Sequence, residues 1–241
     1  NTEFIIALTQ HRFLGNVFYP YIISEKDNFY TIERHLKKRD LENSEYSFKP
    51  YEKELVEIIE KYSDENLVRR FSRAGNVSEF FSGLKTEFFE KQVTPFIEKN
   101  MFRVVSILML SPVRLFSKQV KYANLYDEDE IKVQSLFARP VYYFTRTETE
   151  TRYRLKVDLN NTEIPLQNRN IKVVTNDPCM IIHRNRLIAF ENLNAKKLMP
   201  FFGKEQVSVP NTIEDKYYPG FIRKTIRNFE VKAEGFEIEE N

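Results

Sequence analysis

The sequence predicts an α+β fold in which helices and strands are segregated along the chain. Three observations carry that expectation. A short strand-like region opens the chain, helical periodicity dominates between Pro50 and Leu110, and period-two alternation takes over after Val133. Two lobes are therefore expected. Residues 1–115 form a helix-rich lobe with a small N-terminal antiparallel sheet and a bundle-like part. Residues 116–241 form a lobe of short antiparallel strands with a C-terminal helix.

In the first lobe, Phe4–Leu8 is a short apolar run that reads as a buried strand. Val17–Ile23 and Phe29–Glu33 read as two strands joined across Glu25-Lys26-Asp27-Asn28, and Pro20 demotes the first to an edge or a bulge. His35–Glu45 is a charged connection. From Pro50 the period becomes helical, with Tyr51, Leu55, Ile58, Ile59 and Tyr62 on one stripe. Ser63 or Asp64 can cap a second helix carrying Leu67, Val68 and Phe71, and Ser78 a third with Phe80 and Phe81. Thr86 starts a longer one that Pro95 should kink or divide. Met101–Leu110, apolar on nearly every side, is the expected central helix, ended by Pro112.

Val113–Glu130 is basic and then acidic, with Asp127–Glu130 expected as a solvated loop. Val133–Asn160 reads as the longest hairpin of the chain. Its second arm points Tyr153, Leu155, Val157 and Leu159 one way and Arg152, Arg154, Lys156 and Asp158 the other. Thr162–Leu166, Ile171–Val174, Cys179–His183 and Leu187–Phe190 are further short strands, with turns at Asp177-Pro178 and Arg184-Asn185. Asn194–Met199 is a helical turn or two, Gln206–Val209 a strand, and Asn211 or Thr212 caps a last helix with Ile213, Tyr217, Phe221 and Ile226. Both ends look cut: there is no initiator Met, and the chain stops inside the strand-like run Glu234–Glu240. A fragment of a longer polypeptide is expected.

Composition excludes more than it assigns. With 37 basic and 35 acidic residues the formal charge is +2, too even to require a polyanionic partner, so only local clustering could make one. The single Cys179 cannot form an internal disulfide, which fits a reducing, cytoplasmic setting. No secretory signal or bilayer-length apolar run is visible, and no membrane partner is expected. No two of the six glycines are spaced for a phosphate loop, and Gly203-Lys204 is followed by the repelling Glu205. His11, His35, His183 and Cys179 lack metal-ligand spacing, and no serine nucleophile signature occurs. No catalytic residue, metal, cofactor or small-molecule substrate is expected.

Basic clusters remain. Arg69, Arg70 and Arg73 lie on a short helix. Arg114, Lys118 and Lys121 recur at helical spacing, Arg152, Arg154 and Lys156 share one hairpin face, and Arg223, Lys224 and Arg227 lie on the last helix. These last three sets are the candidate nucleic-acid contacts, with Tyr142 and Tyr153 near for base stacking. Each cluster is also what a wet face paired with acids would look like.

Six strings resemble the amino-terminal accessory region of bacterial Swi/Snf-type helicases, the DNA-dependent ATPases. They are TQHRFLGNVFYPY (Thr9–Tyr21), LVRRFSRAGNVSEFF (Leu67–Phe81), KYANLYDEDEI (Lys121–Ile131), FTRTETETRY (Phe144–Tyr153), KKLMPFFGKE (Lys196–Glu205) and VKAEGFEIEE (Val231–Glu240). None is a catalytic motif. The resemblance implies a non-catalytic module whose ATPase motor lies downstream in the same chain and which contacts DNA or regulates that motor. A protein-interaction scaffold without nucleic-acid affinity is the alternative.

Overall fold

The computed structural model describes residues 1–73, 75–166, 170–204, 206–217, 220 and 230–234. Strands β1 (Thr2–His11) and β2 (Gly15–Glu25) form the longest hairpin, closed at Gly15 with φ 79°, a conformation glycine adopts without strain. This corrects the expectation that the Val133–Asn160 stretch holds it. Polar residues at both ends of β1 hide its length, leaving only Phe4–Leu8 to be read. β3 (Tyr30–His35) pairs with the other side of β2, so Pro20 lies in an internal strand and not at an edge. The missing N–H is harmless there. The Pro20 carbonyl, on the same strand side, accepts from Leu36 N–H at 3.0 Å just past the last β2–β3 pair.

The helices follow sequence closely. After the short α1 (Asp40–Asn43), α2 (Pro50–Glu60) starts on a proline, and Glu52 accepts from Lys49 N–H at 2.8 Å. Ser63 caps α3 (Asp64–Phe71) by accepting from Asn66 N–H. Asn76, two residues before the expected Ser78, caps α4 (Val77–Ser82) by accepting from Glu79 N–H at 2.8 Å. Pro95 divides the next helix as expected: α5 (Thr86–Phe88) runs through a π-helical turn, Phe89–Val93, into α6 (Thr94–Leu108). Met101, Val104, Val105 and Leu108 of α6 are buried.

Then come β4 (Arg114–Lys118), β5 (Asn124–Leu125), β6 (Glu130–Val133), β7 (Arg139–Arg146), β8 (Glu150–Leu159), β9 (Thr162–Pro165), β10 (Lys172–Asn176), β11 (Cys179–His183) and β12 (Arg186–Ala189). β13 (Val207–Pro210), α7 (Glu214–Tyr217) and β14 (Glu230–Glu234) follow, with short 3-10 turns at Asp127–Asp129, Ala195–Lys197, Met199–Phe201 and Asn211–Ile213. The expected continuation of the last helix through Phe221 and Ile226, and the run after Glu234, lie outside the described residues.

An α+β fold is observed, but its sheets do not respect the expected division near residue 115. Nine strands order as β10-β11-β12-β6-β4-β1-β2-β3-β5, mixing both halves of the chain, and β4 itself spans the expected boundary. β4 runs parallel to β1, β12 parallel to β6, and in the second sheet (β13-β8-β7-β14, with β9 on β8) β14 runs parallel to β7. The expectation of purely antiparallel strands is therefore also corrected.

The large sheet curls. In strand order β5 and β6 are five steps apart, roughly 24 Å on a flat sheet at ~4.8 Å per step. Leu125 and Glu130 are only five residues apart, a reach of at most about 17 Å. The strands from β6 to β5 must therefore bend toward closure around Ile5, Ala7, Tyr21, Ile23, Phe116 and Leu125, which are all buried. The opposite faces of β1 and β2, with Phe4, Ile6, Leu8 and Phe18, pack on α2 and α6. The second sheet packs on β11 and β12 through Tyr142, Phe144, Tyr153, Leu155, Ile181 and Phe190. Among the described residues no helix is long and apolar enough to cross a membrane.

Candidate nucleic-acid interface

The three predicted basic sets meet different fates. Arg114 turns into the mouth of the curled sheet, 3.0 Å from Glu130, 3.3 Å from Glu3 and 3.8 Å from Asp127, with its guanidinium over the Tyr30 and Phe116 rings. The helical spacing that joined Arg114, Lys118 and Lys121 is overturned, because Arg114–Lys118 is a strand whose Leu115 and Phe116 are fully buried. Spacings of four and three fit a helix, yet a spacing of four also puts two residues on one face of a strand. Lys118 is half-buried at the strand end, its Nζ 3.4 Å from the Gln119 carbonyl, and Lys121 is exposed in the following loop.

On the hairpin, alternation is as read: Tyr153, Leu155, Val157 and Leu159 are buried. The basic face, however, carries its own acids. Arg152 donates to Glu150 at 2.7 Å, and Lys156 lies over the Tyr143 ring and 3.9 Å from Glu163. Glu163 also accepts from Tyr143 and from Lys232. Arg154 is exposed and makes no ion pair among the described residues. Tyr142 and Tyr153, expected as stacking partners, are 1% exposed and belong to the core. Arg223, Lys224 and Arg227 lie outside the described residues.

The largest group of unpaired cations surrounds Arg69 and Arg70, a cluster visible in the sequence but not among the three candidate sets. A trough of about 1270 Å³ opens between α3, α6 and the segment after β3. Residues 37–39, read as part of a charged connection, place Lys37, Lys38 and Arg39 on one wall. Lys61, Arg69 and Arg70 come from the end of α2 and from α3. On α6, Phe96, Lys99, Asn100 and Arg103 fall at i, i+3, i+4 and i+7, one helix face, and all four line the trough. Eight cations thus face three carboxylates, Glu57, Glu60 and Glu65. All eight are exposed, and among the described residues none pairs with a carboxylate.

The helical walls are anchored in the core. Leu67 and Val68 anchor α3, Met101 and Val104 anchor α6, and within α6 the buried Asn100 donates to the Phe96 carbonyl at 2.9 Å. Tyr62, fully buried, donates to the Phe18 carbonyl at 2.9 Å and ties the end of α2 to β2. His11 Nε2 donates to Asp64 at 2.8 Å while its Nδ1 accepts from Phe13 and Leu14 N–H, fixing the start of α3 to the first hairpin. The Arg70 guanidinium lies 4.2 Å from the Phe96 ring centre. One signal was legible: Lys99 and Arg103, four apart and the only basic residues of α6, share one exposed face.

Among the described residues, no His, Cys, Asp and Glu side chains converge as a metal site, and the one cysteine is buried. Burial, with the Glu98 and Asp177 carboxylates adding to it, pushes the Cys179 thiol up to about 12, so it stays protonated at neutral pH. Glu98, raised by its own burial, accepts from Asn176 and Asp177 N–H and pins the β10–β11 turn against α6. No family model, curated protein or solved structure matches this chain, and the site stands on its geometry.

Proposed function

We propose that the chain is a non-catalytic accessory module that binds nucleic acid by its phosphate backbone and serves a DNA-dependent ATPase motor. The observation that carries the binding half is the trough, eight exposed and unpaired cations against three carboxylates on helices anchored in the core. Such a surface is stable only as a wet face or under a polyanion, and binding there would release the counterions that otherwise neutralise it. The motor half rests on the resemblance of the six strings alone.

Fluorescence anisotropy of a labelled oligonucleotide, titrated at increasing salt, tests the reading. The logarithm of the association constant should fall linearly with that of salt, by about 0.7 per phosphate on a single strand and 0.9 on duplex. A protein-interaction scaffold would bind no oligonucleotide at any salt. Hydrolysis of ATP by the isolated chain would contradict the non-catalytic assignment.

A further inference from the structure

The trough offers more than charge, and we infer that it takes single-stranded nucleic acid, with a base stacked on the Arg70 guanidinium. This rests on the reading of the trough as a phosphate-binding surface. Arg70 presents a flat cation whose central carbon lies over the Phe96 ring, 4.2 Å from its centre, and 5.6 Å from the centre of the Phe71 ring. Phe96 is itself held edge-on by Phe71, at 5.5 Å between ring centres, so the platform is fixed from below. Arg70 is exposed and lines the trough, so part of its guanidinium stays open to a ligand. Guanidinium planes and aromatic rings are the surfaces on which splayed bases stack, whatever the base.

Shape separates single strand from duplex. The cations converge on a concave space from the 37–39 segment, α3 and α6. A flexible strand can enter it and meet several walls at once. A duplex, stiff over about 50 nm, would touch only the rim, and its stacked bases offer Arg70 no free face. The volume of about 1270 Å³ also exceeds the roughly 300–1,000 Å³ of a small-ligand pocket.

Four probes, run on the same chain at one salt concentration, test this: a labelled oligothymidylate, an abasic oligomer of equal length, a duplex of equal length, and inorganic polyphosphate. The oligothymidylate should bind at least about tenfold more tightly than the abasic oligomer, the fold-change expected from stacking one base. The duplex should also bind more weakly. Arg70→Lys keeps the charge but loses the plane, and should lower the ratio of oligothymidylate to polyphosphate affinity about tenfold, whereas Arg154→Glu leaves that ratio unchanged. Equal affinity for the oligothymidylate, abasic oligomer and polyphosphate would overturn the stacking inference and leave a plain phosphate trough. Tighter duplex binding would overturn the single-strand assignment. Binding of none of the four would overturn the phosphate-binding reading itself.

Discussion

The trough between α3 and α6 and the face of the β7–β8 hairpin carry the same residue types to opposite effect. On the hairpin, Arg152 meets Glu150 and Lys156 meets Glu163, across distances of 2.7 and 3.9 Å. In the trough, three carboxylates face eight cations and none forms an ion pair with them among the described residues, Glu60 instead accepting from the Lys38 backbone N–H at 3.3 Å. A run of arginines therefore says little about a phosphate site until the fold has placed the acids. The mouth of the curled sheet is the extreme case: Arg114, the most heavily partnered cation, has three carboxylates and the Tyr30 hydroxyl around it.

Charge reversal gives the largest expected effect. Arg69→Glu with Arg103→Glu should lower oligonucleotide affinity on the order of a hundredfold and make the salt slope shallower by about two phosphate contacts. Both side chains are exposed, so the melting temperature should hold to within a few degrees. Unchanged affinity would erase the contrast between the two regions.

Arg114→Ala should do the reverse, costing about 1–2 kcal/mol of stability in denaturant unfolding while leaving affinity unchanged, because the removed hydrogen bonds are charged but partly exposed. The loss has a pH signature. Burial pulls the Glu130 carboxyl up, but hydrogen bonds from Arg114 and Lys132 outweigh it and hold the group below its ordinary 4.5. A carboxylate lowered by folding contributes stability above its unfolded pKa and loses it as pH falls through the folded value. Wild type and Arg114→Ala should therefore converge in stability as the solution is acidified below about pH 4, and a gap that widens in acid would refute the assignment.

Arg152→Glu with Arg154→Glu should change affinity by less than about twofold and stability by less than about 1 kcal/mol, as for other exposed pairs. A loss comparable with that of the trough variant would return the site to the hairpin.

How much of this was legible depends on where the partners lie. The β8 alternation, the Ser63 cap and the division at Pro95 are local, set by neighbours within a few residues, and the sequence shows them. β4 was hidden because Arg114, Lys118 and Lys121 mimic a helical face and only Leu115, Phe116 and Val120 between them are apolar. The curl of the sheet follows from pairings between residues over a hundred positions apart, such as Ile5 with Arg114, which no local pattern records. Apart from the Arg69–Arg70 cluster, the trough was hidden for the same reason. Its cations come from four separate stretches, and Lys37–Arg39 by themselves look like any charged connection.

Lysine acetylation footprinting tests the central claim most directly. The chain is acetylated free and saturated with oligothymidylate at low salt, and each lysine is read by mass spectrometry. The account predicts protection concentrated at Lys37, Lys38, Lys61 and Lys99, with Lys118, Lys121 and Lys156 modified alike in both states. Protection of Lys118, Lys121 or Lys156 with the trough lysines unchanged would contradict it.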